Sequence, residues 1–296
     1  MRRAYSTAHW ALELPDYHPF PRYKYGGVAE VLRGELDLQP APAMAWETLA
    51  LAHDLSYLQK LRWQGLSRQE AHQVGLPWTH SLLTRALHAA GGTLAAAQDA
   101  LETGLGLNLA GGTHHAYANR AEGYCLFNDV AVAIASLRAE GWSGKALIVD
   151  LDAHQGNGTA VMFQQDDRVF TLSVHAERNY PLRKERSDLD VGLGDGAGDS
   201  EYLQALEPAL EKSFAHKPDL VFFNAGVDVL QNDRFGRLGL SLNGLGRRDK
   251  RVFEQVNQAR ASLVVVMGGG YNRDPNMTVA GHAQTYRLAH ETLGDR

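Results

Sequence analysis

The sequence predicts an open parallel α/β sheet with helices on both faces. Three observations carry that prediction. Short apolar runs recur at 105–110, 146–149, 169–174, 220–223 and 263–267, rich in branched residues and without helical period. Runs of this kind form strands buried on both faces. Amphipathic stretches alternate with them, most clearly over 82–104. There Leu83, Leu87, Ala90, Leu94, Ala97 and Leu101 make one apolar stripe. The repeated order strand, helix, strand, helix is that of a sheet joined by crossover helices.

Taken in order, residues 1–26 are aromatic and proline-rich, and Pro19 and Pro21 exclude regular helix between His18 and Tyr25. Coil packed onto the body is expected there. A short helix follows over 27–33, then a strand over 49–52 closed by His53 and Asp54. Tyr57, Leu58 and Leu61 predict a helix over 56–63. In the helix over 82–104, Gly91 and Gly92 weaken helix propensity, so close packing against the sheet is expected as compensation. Gly104 stops that helix, and strand 105–110 leads into Gly111-Gly112-Thr113-His114-His115. Residues 128–140 form a helix ended by Gly141. After strand 169–174, the stretch 175–198 is rich in charge and glycine and is expected as loop. Leu203, Leu206, Leu210 and Phe214 predict a helix over 200–214, which Pro208 should kink or restart. Helices over 247–259 and 282–293 flank the last strand.

The chain has 296 residues, 44% hydrophobic and 21% charged, and no repeat or linker divides it, so one domain over 1–296 is expected. A net charge of −5 without a basic tail argues against nucleic acid as a direct partner. Arg247, Arg248, Lys250 and Arg251 are expected on a solvated helix face. The single cysteine, Cys125, excludes an internal disulfide and fits a reducing compartment. Neither a signal-peptide core nor a run of membrane-spanning length occurs, so a cytoplasmic chain without membrane contact is expected. Oligomeric state is open.

Ligands of parallel sheets bind beyond the carboxyl ends of the strands, and the polar residues of this chain gather there. His114 and His115 follow one strand, Asp150, Asp152 and His154 a second, Asp228 a third and Tyr271 a fourth. Residues two apart on extended chain point the same way, so Asp150, Asp152 and His154 share a side. A lone Asp-x-His at a strand end can simply cap a turn. Asp152, His154 and Asp228 together supply two carboxylates and one imidazole with a fourth position open, the pattern of a catalytic zinc. Such a metal lowers the pKa of a bound water and polarises a carbonyl. Adjacent histidines at a strand end suit proton shuttling, one as base for water and one as electrostatic partner or acid for the leaving group. Asp150 could hold one imidazole by its other nitrogen. Tyr271, after three glycines, could donate to a developing oxyanion. Gly268-Gly269-Gly270 is no P-loop, since no Gly-Lys-Ser/Thr follows. The run at 192–200 is better explained by a capped helix start at Asp199 or Ser200.

With these residues assembled, the chain resembles the histone deacetylase superfamily over nearly its whole length. The matching strings are GGTHHA at 111–116, GYCLFND at 123–129, DLDAHQGNG at 150–158, NAGVD at 224–228 and GGGY at 268–271. The DAHQGNG wording, HPF at 18–20 and NYP at 179–181 resemble the class IV, histone deacetylase 11-like branch. The resemblance implies an arginase-like α/β fold and a zinc-dependent amidohydrolase. Its substrate would be an acyl-lysine protein or peptide, or an acylated small amine, carrying an acetyl or longer acyl group. It implies one Zn2+ per chain on Asp152, His154 and Asp228, with His114 and His115 as the acid/base pair and Asp150 supporting His114. Tyr271 would polarise the acyl carbonyl. The Gly123 carbonyl would hold the substrate amide, Tyr124 would line the channel, and Gly269 would contact substrate. A structural K+ would use Asp150, Asp152, His154 and Ser173.

One residue departs from the pattern: other branches carry Asp where this chain has Asn157. An amide cannot stabilise an imidazolium by charge, so His115 is expected to stay neutral at lower pH and to act as the base. Two rivals stand beside this reading. An arginase-like ureohydrolase with two manganese ions would want carboxylates where Gly156 and Leu230 stand, so a single metal is expected. A binding protein for acyl-lysine or acyl-polyamine without turnover is opposed by the filled acid, base, metal and phenol positions. The loop over 176–188 and the aromatic N-terminus are expected to form the rim.

Overall fold

The apolar runs pair side by side in an eight-stranded sheet, seen in a computed structural model that describes residues 1–294. In chain order the strands are β1 (Arg3–Ser6), β2 (Asp37–Pro40), β3 (Leu105–Leu109), β4 (Ala146–Asp150), β5 (Val169–Ala176), β6 (Leu189–Leu193), β7 (Leu220–Asn224) and β8 (Ser262–Val266). Across the sheet they run β2-β1-β3-β8-β7-β4-β5-β6, and every pairing is parallel. The four strands with suspected site residues at their ends, β3, β8, β7 and β4, are therefore adjacent.

Alternation along each central strand divides the core in two. Leu147 and Val149 of β4, Val221 and Phe223 of β7, and Leu263 and Val265 of β8 enter one cluster. That cluster is covered by α8 (Asp199–Phe214), α9 (Leu242–Ala259) and α10 (Pro275–Leu293). The intervening Ala146, Ile148, Leu220, Phe222, Val264 and Val266 face α5 (His80–Thr103) and α6 (Asp129–Ala139). A third cluster joins α5 to α2 (Trp46–Leu49), α3 (Leu55–Trp63) and α4 (Arg68–Val74). The N-terminal α1 (Tyr23–Val31) packs on α10, and the short α7 (Asn157–Phe163) follows β4.

Several expectations are corrected. The run 49–52 is no strand: Leu49 ends α2, and its apolar side chain fills the third cluster with Tyr57, Leu58 and Leu61. A four-residue apolar run does not distinguish the two states. The stretch 175–198 is not all loop, because β5 continues to Ala176 and β6 spans Leu189–Leu193 at the sheet edge. β6 is only half covered, so it lacks the continuous apolar signal. β1 lies inside the expected coil; at four residues, with Arg3 at its start, it offers no apolar run. α8 is not divided at Pro208. α9 starts at Leu242, capped by Ser241, and α10 starts at Pro275, where proline is tolerated at a first turn. Arg248 is not on a solvated face but fully buried.

The helix glycines find two partners. A Cβ on Gly92 would stand 2.8 Å from Asn108 Oδ1 of β3, whereas one on Gly91 would stand 2.0 Å from the Pro42 carbonyl oxygen, outside the sheet. The tightest approach in this layer is Gly106 of β3, where a Cβ would lie 1.7 Å from the carbonyl oxygen of Ala96 in α5. Backbone meets backbone, so no side chain can yield. Gly106→Ala is expected to destabilise by about 3 kcal/mol, the upper end of ordinary overpacking. Urea unfolding of the two proteins measures the difference.

Candidate active site

The loop 111–115 leaves β3 with Gly111 and Gly112 both at φ 75°, a conformation that glycine adopts without strain. Asp129, in the first turn of α6, then pins it. Asp129 Oδ2 accepts the Gly112 N–H at 3.0 Å and the Thr93 hydroxyl at 2.6 Å, while Oδ1 accepts the Thr113 N–H at 2.8 Å. Asn128 caps α6 and reaches Ala116 O and Thr159 Oγ1 with its amide nitrogen. This clamp orients His114 and His115, whose rings lie 4.0 Å apart.

Each histidine has its own partner. His114 Nδ1 lies 2.7 Å from Asp150 Oδ2, and Asn224 Nδ2 donates to the other Asp150 oxygen at 2.9 Å. His115 Nδ1 lies 2.6 Å from Asn157 Oδ1. Burial disfavours charge on both rings. At His114 the Asp150 and Asp152 carboxylates outweigh it and raise the pKa to about 9. At His115 burial, joined by repulsion from His114 and His154, lowers the pKa well below its ordinary value. The Asn157 hydrogen bond by itself acts the other way, so the expectation that the amide keeps His115 neutral is corrected: burial and the two neighbouring histidines set the direction.

Asp152, His154 and Asp228 meet as the strand order requires. They offer donor atoms that all lie within 4.8 Å of one another, and all three residues are buried. His154 Nδ1 is 3.0 Å from Asp152 Oδ1 and 3.0 Å from Asp228 Oδ2. The remaining carboxylate oxygens take backbone donors: Gly269 N–H to Asp152 Oδ2 at 2.7 Å, and Ala153 N–H to Asp228 Oδ1 at 2.8 Å. Burial, then the Asp152 charge, raises the Asp228 pKa to about 7; against burial, the two carboxylates raise that of His154 to about 10. Both shifts express one demand, for positive charge among these donors. Two carboxylate oxygens and an imidazole nitrogen fit a borderline dication such as zinc.

A cavity of about 290 Å3 opens over this cluster, lined by His115, His154, Gly123, Tyr124, Tyr180, Phe235 and Tyr271 among others. Its aromatic walls stand close: Tyr124 and Tyr271 have ring centres 6.0 Å apart, and Phe235 and Tyr271 5.1 Å. Gly123 and Tyr124 turn at φ 51° and 66°, which costs a tyrosine backbone strain, and Tyr124 N–H is tied to Val74 O at 2.8 Å. Burial and then the Asp152 and Asp228 carboxylates raise the Tyr271 pKa well above its usual value, so the phenol keeps its proton.

The other expected residues are spread around this floor. Gly269 lines a smaller adjoining space of about 60 Å3, and both its backbone groups are engaged, its oxygen by Val227 N–H. Ser173 stands opposite Asp150 in the sheet register and bonds His175 at 2.9 Å. Asn179 and Tyr180 from 176–188 reach the cavity, and Phe20 of the N-terminal segment packs on Tyr124. Four contributors escaped the sequence reading. Lys24 is buried, donates to Gly268 O at 2.6 Å and lies 5.6 Å over the Tyr271 ring. Phe235 comes from irregular chain with no periodic signal. Asn128 and Asp129 carried a helix-start signal, but nothing in it disclosed the clamp.

Comparison with known proteins decides the family. The model for the histone deacetylase domain matches residues 18–286. The chain belongs to the histone deacetylase family. An uncharacterized protein of Picosynechococcus sp. is 42% identical over 286 residues, 94% of this chain and 95% of its own. Histone deacetylase 2 of Arabidopsis thaliana is 33% identical over 281 residues, 89% of this chain and 72% of the relative. A solved histone deacetylase homologue from Aquifex aeolicus shares the fold, with a TM-score of 0.79 at 24% identity over 98% of this chain and 84% of that one. The family accounts for the eight-stranded parallel sheet with its covering helices. Among the described residues, no helix is long and apolar enough to cross a membrane.

The clamp gives the site a pH limit on stability. His53 Nε2 accepts the Asn128 N–H at 3.0 Å, and Nδ1 donates to Ala118 O at 3.2 Å, so the ring must be neutral. Burial lowers its pKa from 6.5 to about 4. Unfolded, the ring takes up its proton near the ordinary value; folded, it does so only near the lowered one. Its stabilisation is complete above the ordinary value and is lost as pH falls toward the lowered one, by about 3 kcal/mol at full extent. Urea unfolding across this interval is expected to show the loss, reduced in His53→Gln.

Proposed function

We propose that this chain is a cytoplasmic, zinc-dependent deacylase of the class IV branch, with residues 1–296 forming one catalytic domain. Its substrate is an acyl-lysine protein or peptide, or a related N-acyl amine. The observation that carries this reading is the meeting of Asp152, His154 and Asp228 on the floor of a cavity that also presents His115 and Tyr271. Asp152, His154 and Asp228 would hold the single zinc, which when bound supplies a Lewis acid for the acyl carbonyl and lowers the pKa of water. The protein's own groups do the rest. His115, with Nδ1–H on Asn157, presents Nε2 as the base that takes a proton from the attacking water. His114, paired with Asp150, provides positive charge beside the developing oxyanion. A bound dication would lower the pKa of both rings and keep His115 the less basic of the two. Tyr271 donates its phenol proton in a hydrogen bond to the carbonyl oxygen, and the Gly123 carbonyl accepts the substrate N–H. The narrow aromatic walls suit an unbranched alkyl chain carrying the amide. A structural K+ would sit by Asp150, Asp152, His154 and Ser173.

A hydrolysis panel tests the reading with acetyl-lysine peptide, longer acyl-lysine peptides and acetylated polyamine. Activity is expected on at least one member, abolished by chelator and restored by zinc. Tyr271→Phe is expected to lower kcat by about 100- to 1000-fold with KM little changed, as for loss of one oxyanion donor. Full turnover in that variant or in chelator overturns the assignment. Asp228→Asn is expected to reduce zinc content below one ion per chain, measured by atomic emission after dialysis, with the fold retained by circular dichroism.

A further inference from the structure

Asn157 is an unusual orienter for a base because its amide has two faces. If Oδ1 meets His115, the ring carries its proton on Nδ1 and leaves Nε2 free to accept. If the amide turns over, Nδ2 donates to the ring instead, and the proton moves to Nε2, where the ring can no longer serve as base. The choice depends on what stands behind Asn157.

Two acceptors stand there. Asn157 Nδ2 donates to Glu122 Oε1 at 2.8 Å and to the Tyr117 hydroxyl at 3.0 Å. A carboxylate can only accept. Tyr117 directs its own proton to Glu185 Oε1 at 3.2 Å, so a lone pair faces Asn157. The Glu122 carboxylate is itself held: Tyr180 OH donates to Oε1 at 3.0 Å and the Arg120 guanidinium lies 3.4 Å from Oε2. Its backbone closes the turn before Gly123 through reciprocal bonds with Cys125. Turning the amide over would set two oxygens against each other at 2.8 Å.

We propose that Glu122 is the positioning residue that makes His115 a base: acting through Asn157, its carboxylate fixes the ring as the Nδ1–H tautomer. Glu122 touches neither substrate nor reacting atoms. It also polarises the amide, bringing negative charge to the end of a chain in which Asn157 has none. The inference rests on the deacylase reading only for the word base; the tautomer itself is a property of the resting protein.

The test exchanges donor and acceptor across the pair. Glu122→Gln removes the obligatory acceptor and is expected to lower kcat about 10- to 100-fold, the usual loss for a removed orienting partner, with KM within about twofold. Asn157→Asp alone sets two carboxylates face to face and is expected to lose activity too. Together, Asp at 157 accepts from Gln at 122, and the double variant is expected to recover to within about fivefold of the parent. Nitrogen-15 spectra of the histidine rings in the zinc-loaded proteins, with His115→Ala for assignment, give the second readout. They are expected to show Nδ1–H for the parent and the double variant, and a shift toward Nε2–H in Glu122→Gln. Unchanged tautomer in Glu122→Gln, or no recovery in the double variant, overturns the proposal. If the parent hydrolyses no member of the panel, the deacylase reading fails while the spectra still decide the role of Glu122.

Discussion

Parallel pairing of β3, β8, β7 and β4 is the constraint on which the site depends. Four parallel neighbours must end on the same side, so whatever follows each strand is delivered to one line. Residues far apart in sequence, His114, Asp152, Asp228 and Tyr271, become neighbours without any long-range loop. The apolar interior of each strand supplies the burial that drives the pairing, and the polar residue just past its end inherits a low-dielectric floor. Core and site are two ends of the same strands.

That floor explains the charges. Asp150, Asp152 and Asp228 are buried where carboxylates are unfavourable alone. Each is answered differently: Asp150 by His114 and Asn224, Asp152 and Asp228 by backbone N–H groups on one side and by His154 on the other. The two acids that follow β4 thus divide, Asp150 serving a histidine while Asp152 converges with Asp228 from the end of β7. The division of the two histidines follows. His114 has a carboxylate behind it and His115 an amide, so their affinities for a proton are driven apart. That difference leaves chemically identical neighbours unlike in their readiness to carry charge.

Much of this was legible because the signals were local. The buried strands announce themselves by unbroken branched runs such as Leu147-Ile148-Val149, and Asp150, Asp152 and His154 by their place at a strand end, although β4 stops at Asp150 and the chain bends over 152–154, so strand period does not carry the last two. What escaped had no local signal. β6 and β1 lie toward the sheet edges and need little apolar character; Leu49-Ala50-Leu51-Ala52 has the composition of a strand but only four residues to decide its period. Arg248 reads as part of a surface charge run, yet it is fully buried among strand ends. Phe235 and Glu122 reach the site from irregular chain, where side-chain direction is set by contacts rather than period, and Lys24 from the first turn of α1, next to the prolines that hide its start. Asn157 was visible as a departure, but its orientation depends on Tyr117 and Glu122, which only folding places behind it.

Arg248 brings out a mechanical side of the fold. Its buried guanidinium pairs with Asp249 and sends Nη1 to the carbonyl oxygens of Leu151, at 3.1 Å, and Gly226, at 2.6 Å. Leu151 precedes Asp152, and Gly226 stands two residues before Asp228. A single nitrogen mounted on α9 therefore ties the chain just before Asp152 to the chain just before Asp228, so a helix that adds no side chain to the floor works as a rivet between the two segments that carry these acids.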